Sequence, residues 1–419
     1  IPPNPVTQEQ RDTTIGLSQY KIYQLLLGKA VPDVIIDTLE TDEPYPIRFC
    51  WILHTNPVSP TNTAAPQRWH AALKRMDFVV AQDIFMNPTI ASCCDLFLPL
   101  ATWLEHDGYI TQLMGEHPGP VKGMVKVIEP VGEAKSEFQI IHDLAQRPAF
   151  HDNFYIDGES KVSSIENYIT QDLTKVVGFG HDWEYLKEHV QVSRKTEYLK
   201  YERGMLRADG QPGFNTSTGR IELWSTYYNL LGLDPLPTFK EPVHSPVSTP
   251  DEFAEYPVVL TTGARNWSQF HSEHRQVPRM RALHPYPTVR VNQKLADRFG
   301  VADGDWVWLR NQYGRCKRKV LVDPGMMDGV ASTDHGWWLP ELGGTEEEGL
   351  FGAFEYNCNM LFKFDPGESG FGCDYKCMLC TIDKCAPEEA GIVATVKGEG
   401  IRKAVAMADL HEAPETVVL

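Results

Sequence analysis

Short apolar runs of strand length, each stopped by a turn signal, recur through the first part of the chain with amphipathic stretches between them. Arg48 to His54 reads RFCWILH and halts at Thr55-Asn56-Pro57, which predicts a buried strand opening into a loop. Gln67 to Lys74 follows with helical spacing, and Asp77 to Ala81 is a second apolar run, ending in Gln82-Asp83. Strand, helix, strand at this spacing predicts a parallel crossover unit. Asn87-Pro88-Thr89 predicts a short helix with Asn87 as cap and Pro88 at its first position, and Asp95 to Leu98 a third strand closed by Pro99. Ser136 to Arg147 has an amphipathic period behind a capping box of Ser136 and Gln139. Nearer the start, Ile22, Leu25 and Leu26 share a helical face between a Ser18 cap and Gly28, while Asp33 to Leu39 fits a short helix or a strand.

From 151 to about 250 the pattern is broken and rich in turns. Within it GFNTSTGRIELW predicts a strand, and EPVHSPVSTPDEF is a proline-studded connector where a domain boundary belongs. Regular alternation then resumes. Tyr256 to Leu260 and Thr288 to Val291 read as strands, and Gln293 to Phe299 as a helix between an Asn292 cap and Gly300. Asp305 to Arg310 turns at Asn311 to Gly314 into its hairpin partner Arg315 to Val322, and Val330 to Thr333 adds a strand before His335-Gly336-Trp337-Trp338. The set predicts a small β-barrel with one inserted helix. There is no internal repeat, and the run Glu346 to Glu348 reads as solvated.

Composition narrows the class. A chain of 419 residues predicts roughly two or three domains. Its 42% hydrophobic and 23% charged content is that of a soluble globular protein, and no window of about 18 apolar residues could span a membrane. A net charge of −17 argues against general affinity for nucleic acid or anionic lipid, so an anionic ligand needs a local basic patch. The start, IPPNPVTQEQ, has no Met, no basic segment and no apolar segment, and reads as a mid-chain start. Nine cysteines make a poor disulfide framework and fit a reduced compartment. Cys373, Cys377, Cys380 and Cys385 have a spacing superficially like a zinc or iron–sulfur site. Lys376 to Ile382 alternates like a strand, however, which turns positions three apart to opposite sides and disfavours metal binding.

Chemistry concentrates in Leu260 to Arg275, LTTGARNWSQFHSEHR. An apolar strand runs into Gly263, and Arg265, Ser268, His271, Ser272, His274 and Arg275 crowd the next positions. Guanidinium groups and free backbone amides suit a phosphate or a heteroaromatic edge, with an exposed polar loop as the alternative. In open parallel sheets ligands lie beyond the carboxyl ends of the strands, which puts Asn56, Gln82 and Asp83 on a binding edge, against ordinary turn chemistry. His54, His106 and His142 form no ligand pattern, and no Ser-His-Asp, HExxH or GxxxxGK[ST] spacing occurs, so no general acid or base is assigned. The strand ending at His54 has no GxGxxG after it, against a nicotinamide dehydrogenase.

Several stretches together, in order and spacing, resemble the bis-molybdopterin guanine dinucleotide oxidoreductases, the dimethyl sulfoxide reductase superfamily. They are FVVAQDIFMNPTIASCCDLFLPLATWLEHDG, GFNTSTGRIELW, EYPVVLTTGARNWSQFHSEHR, VRVNQKLADRFGVADGDWVWLRNQYG, GVASTDHGWW, and FEYNCNML followed by Asp374-Tyr375-Lys376. The forms HSEHR and HGWWLPE look most like the thiosulfate and polysulfide reductase-like branch, which also holds hydroxylating and dehydroxylating members. The resemblance implies an α/β plus β fold: residues 1–150 as the later half of a split parallel α/β nucleotide-binding domain, 151–250 as an irregular connecting segment, and 251–410 as a six-stranded double-psi β-barrel.

It also implies bis-molybdopterin guanine dinucleotide carrying molybdenum or tungsten, bound by Asn56, Gln82, Asp83, Thr89, Asp95, Gly263, Arg265, His271, Ser272, Trp337, Asn357 and Lys376. Asp95 and Trp337 have packing alternatives, and the family's usual TGR is interrupted here by Ala264. The family's metal ligand and its 4Fe-4S cysteines fall in earlier sequence, so the expectation is a C-terminal portion, inactive alone, of an enzyme of two-electron or oxygen-atom transfer. Its partners would be the remainder of the same polypeptide and an iron–sulfur electron-transfer subunit, with no nucleic acid and no transmembrane segment, in cytoplasm or periplasm. The alternative is a non-catalytic, cofactor-binding or chaperone-like module on the same barrel.

Overall fold

The computed structural model describes residues 7–20, 22–23, 30–59, 64–111, 120–150, 164–176, 180–192, 197–263, 266, 268–269, 271, 274–363, 367 and 376–389. By packing, the chain divides into two compact units, one drawn from Ile1–Val80, Met86–Asp95 and Glu222–Leu419, the other from Ala81–Phe85 and Leu96–Ile221.

Three short strands, β1 (Phe49–Leu53), β2 (Phe78–Asp83) and β3 (Leu96–Pro99), form a parallel sheet of order β1-β2-β3. The helix Pro66–Leu73 makes the crossover from β1 to β2, and the helix Pro88–Cys93 follows β2. Asn87 caps the latter by accepting from the Ile90 amide, as its sequence predicts. The segment left open between helix and strand is the helix Pro32–Thr41. β1 is not the buried strand its composition predicts: Phe49 is 52% and Leu53 45% exposed. Parallel strands are apolar because both their faces are normally covered, and composition cannot say whether the covering layer is present.

The second unit holds an antiparallel sheet of β4 (Gly108–Thr111), β5 (Val121–Met124) and β6 (Gln191–Val192). Its core is Val121, Ile169, Leu173, Trp183 and Leu186. The helix Glu137–Ala145 begins as half a capping box. Ser136 accepts from the Gln139 amide, but the Gln139 side chain reaches forward to Asp143 and not back to the cap. GFNTSTGRIELW forms turns and bends instead of the strand its alternation predicts, with Ile221 69% and Leu223 84% exposed. Alternation alone makes no strand where no neighbouring strand supplies hydrogen bonds.

The first unit contains a closed six-stranded barrel of order β10-β8-β11-β7-β12-β9. Its strands are β7 (Val258–Thr261), β8 (Thr288–Val291), β9 (Trp306–Arg310), β10 (Arg315–Val322), β11 (Val330–Thr333) and β12 (Met378–Lys384). β9 and β10 form the predicted hairpin, β10 pairs parallel with β8, and β11 parallel with β7. Val258, Leu260, Val289, Val291, Val307, Leu309 and Ala331 alternate into the interior, each fully buried. The helix Gln293–Phe299 sits between β8 and β9, capped by Asn292 and ended by Gly300 in the left-handed conformation.

A charged side chain lies inside the barrel. On β10, Cys316, Arg318 and Val320 share the inward face, and Arg318 is fully buried. Its Nε donates to Thr333 Oγ1 at 2.7 Å, Nη1 to the carbonyls of Lys317 and Tyr356, and Nη2 to those of Asp334 and Gly336. Beside it, Asp334 joins the end of β11 to the start of β8. Its carboxylate accepts from the Thr288 amide at 2.8 Å and meets His284 Nε2 at 2.8 Å. Burial raises the Asp334 pKa, but the His284 hydrogen bond and charge outweigh it and hold the carboxyl below its ordinary range.

Two outcomes follow. Arg318→Leu orphans several buried carbonyls at about 1–3 kcal/mol each, so its denaturant midpoint should fall by the equivalent of about 3 kcal/mol or more. Asp334 has a depressed folded pKa, so its stabilisation is present above about pH 4 and is lost as pH falls through the folded value. Asp334→Asn should therefore lower stability at neutral pH and flatten its acid-side decline, read from denaturant midpoints across a pH series.

Candidate functional site

Strand direction brings the polar groups of the barrel to one rim. β7 and β11 run parallel, so Thr262-Gly263 and Asp334-His335 leave the barrel at the same end. β12 runs antiparallel to β7, so Lys376, just before its start, returns to that end. Lys376 Nζ donates to Thr262 Oγ1 at 2.9 Å and to the Gly263 carbonyl at 3.2 Å. Gly263 has φ of +58°, and a Cβ there would collide with the Ser332 hydroxyl, so only glycine fits. The turn thus fixes an exposed ammonium beside a glycine that puts no side chain in the way, a charge placed to meet an anion.

Arg318 holds the next loop. Through the carbonyls of Asp334, Gly336 and Tyr356 it draws His335-Gly336-Trp337 against Tyr356-Asn357, and the Cys358 amide donates to Gly336 at 3.1 Å. Trp337 is buried at φ of +114°, a strained conformation for a bulky residue that the surrounding hydrogen bonds enforce. It belongs to a cluster with Leu339 and Tyr356 and lies beneath Arg275 and Arg281, whose guanidinium carbons are 4.6 and 5.6 Å from its ring. Here Trp337 packs as a core residue. His271 Nδ1 and His335 Nε2 approach to 3.1 Å.

Asn357 is fully buried. Its Oδ1 accepts from the Asn359 amide at 3.0 Å, while its Nδ2 has no partner among the described residues. The loop after β1 packs close by, where Ser59 Oγ donates to the Trp337 carbonyl at 3.5 Å. In that loop Asn56 Oδ1 accepts from the Thr89 hydroxyl at 2.6 Å, and Thr89 Oγ1 accepts from the Val58 amide at 3.0 Å. Thr89 is fully buried, so its hydroxyl shapes the Asn56 loop and is not presented outward.

Asn56, Thr89, Gly263, His271, Trp337, Asn357 and Lys376 therefore lie in one unit, linked through the rim and the loops Arg318 ties. Asp95 lies in the same unit, its carboxylate accepting from the Val79 amide at 2.8 Å. Gln82, buried, and Asp83, half-buried, end β2 in the other unit, where the Leu100 amide donates to the Asp83 carbonyl. Arg265 and Ser272 lie outside the described residues, as does Cys373 of the cysteine cluster. Cys377 donates to the His244 carbonyl at 3.3 Å, Cys380 is buried in the barrel, and burial pushes the Cys385 thiol up to about 11. Burial likewise raises Cys316 to about 12. The raised pKa keeps the Cys316 and Cys385 thiols protonated at neutral pH.

Sequence reasoning missed Arg318, Asp334, His284, His335 and Arg281. Arg318 carried a signal, a charge on the apolar face of a strand. The others depend on pairings between segments far apart in the chain.

The rim can meet an anion, with the ammonium of Lys376 for charge and the bare Gly263 for close approach. The described residues include no His, Cys, Asp and Glu group able to hold a metal ion, and no helix long and apolar enough to cross a membrane.

Comparison with known proteins accords with this geometry. The family model for the molydopterin dinucleotide binding domain matches residues 258–375, and that for molybdopterin oxidoreductase matches 21–147. Acetylene hydratase of Syntrophotalea acetylenica is 32% identical over 80% of this chain and 43% of its own, and dopamine dehydroxylase of Eggerthella lenta 28% identical over 81% and 38%. The solved structure of acetylene hydratase from Pelobacter acetylenicus superposes with a TM-score of 0.74 at 26% identity, over 90% of this chain and 53% of that one. The chain spans about two fifths of the length of these curated relatives. With both family domains present in order, the chain belongs to the molybdopterin oxidoreductases of the dimethyl sulfoxide reductase superfamily.

Proposed function

We propose that this chain is the dinucleotide-binding portion of a molybdenum or tungsten enzyme using bis-molybdopterin guanine dinucleotide. The observation that carries the reading is the convergence of Gly263, Lys376, Trp337 and Asn357 at one barrel end. In this reading Gly263, Arg265 and Lys376 meet a diphosphate, and Asn357, His271 and Ser272 take pterin or nucleotide edges. Asn56, Thr89 and Asp95 form or support a nucleotide contact in the barrel's unit, and Gln82 and Asp83 are cofactor contacts of the other. The paired parallel strands β7–β11 and β8–β10 favour double-psi connectivity for the barrel.

When bound, the cofactor supplies a redox metal for two-electron or oxygen-atom transfer. The residues here orient it, shield it and neutralise its charge. Residues 1–150, 151–250 and 251–410 would serve as partial α/β domain, connector and barrel, inactive without the rest of the enzyme. That remainder would contribute the metal ligand and a 4Fe-4S cluster, with an iron–sulfur subunit delivering electrons. Relatives named for a hydratase and a dehydroxylase favour an enzyme over a non-catalytic module.

Guanosine diphosphate tests the reading. The chain should bind it in preference to NAD by titration calorimetry. Lys376→Ala removes a charge-assisted hydrogen bond of about 1.5–3 kcal/mol and should weaken binding by about tenfold or more. Equal affinity for NAD, or an affinity indifferent to both Lys376→Ala and Asn357→Leu, would overturn it.

A further inference from the structure

Arg281 resembles Arg318 in burial and differs from it in satisfaction. Both lie in the barrel unit, Arg281 3% exposed and Arg318 fully buried. Arg318 places every guanidinium nitrogen on an acceptor. Arg281 uses only Nη2, on Glu341 Oε1 at 2.6 Å, and its Nε and Nη1 have no partner among the described residues. A buried donor left without an acceptor is destabilising, so two on one side chain are a standing deficit unless an acceptor arrives. Burial pulls the Arg281 pKa down despite Glu341, a sign that one carboxylate does not replace the lost water.

The surroundings lean the same way. Trp337 lies flat enough beneath Arg275 and Arg281 to hold both by cation–π contact, and its Nε1 also has no partner among the described residues. Two largely buried carboxylates meet this cluster among the described residues, Glu341 on Arg281 and Asp334, whose charge also bears on Arg318. One of these, Asp334, is already engaged by His284 and Thr288.

We infer that Arg281, seated on Trp337, is the anchor of a subsite for an oxyanion, a group with two or more acceptor oxygens such as a phosphate. The inference does not depend on the cofactor reading. The oxyanion belongs either to the diphosphate of a bound dinucleotide or to a free anionic molecule, and the test separates the two. Glu341 competes with such a ligand for the same guanidinium and moderates its affinity.

The experiment measures binding of inorganic phosphate, by calorimetry and by its shift of the thermal midpoint, to the wild-type chain, Arg281→Gln, Arg281→Lys and Glu341→Gln. Expected are phosphate-dependent stabilisation of the wild type, about tenfold weaker binding in Arg281→Gln, partial retention in Arg281→Lys, and binding several-fold tighter in Glu341→Gln. If Arg281 serves only an internal ion pair, Glu341→Gln lowers stability with no gain in phosphate affinity, and the inference is overturned whether or not Arg281→Gln folds. Phosphate binding that is absent, or equal in wild type and Arg281→Gln, also overturns it. With guanosine diphosphate as second probe, competition with phosphate identifies a dinucleotide oxyanion. Simultaneous binding, with only phosphate lost in Arg281→Gln, identifies a separate anion.

Discussion

A buried guanidinium must find acceptors for its donors, and in this protein that requirement organises the site. Arg318 sits inside the barrel unit, where an unmet donor is expensive, and satisfies itself on the carbonyls of residues that would otherwise be loosely held loops. Asp334, Gly336 and Tyr356 are fixed because Arg318 needs their oxygens. Fixing them forces Trp337 into its strained conformation and delivers Asn357 to the rim. Local strain in one residue is thus sustained by hydrogen bonds to its neighbours, which is how a closed barrel with short strands holds an irregular loop rigidly.

Topology does the remainder. Because β7 and β11 run parallel and β12 returns between neighbours, segments more than a hundred residues apart finish at one end of the barrel. The Gly263 turn and Lys376 meet there with no help from local sequence. The loop after β1 packs onto the same region through Ser59, whose buried hydroxyl donates to the Trp337 carbonyl. The ammonium and the close-approach glycine are chemically different and lie side by side.

Much of this was legible from residue order. The hairpin of Asp305 to Val322, the Asn292-capped helix and the Asn87-Pro88 helix start all follow from turn and capping chemistry acting within a few residues. Gly263 was readable as a turn residue for the same reason. What failed were inferences about covering layers and partners. RFCWILH is apolar enough for a buried strand, yet Phe49 and Leu53 are exposed, because burial is decided by what packs on a strand. GFNTSTGRIELW alternates correctly but finds no neighbour to pair with. Thr89 was placed rightly at a helix start, and its hydroxyl then turned inward to Asn56, a choice no spacing rule encodes. Arg318 was visible only as an anomaly, one charge on an otherwise apolar face.

The bond from Lys376 to the Gly263 turn has a further consequence. A lysine on a surface is a long, wandering chain that loses considerable freedom when a ligand immobilises it. Here that loss is already incurred in the resting protein, since the ammonium is held by a hydroxyl and a carbonyl, two neutral acceptors. An anion arriving at the turn therefore exchanges weak contacts for strong ones without reordering the side chain. The rim works as a preset electrode, its charge positioned before anything binds, and selectivity at that point rests on how well a newcomer's oxygens fit a fixed geometry.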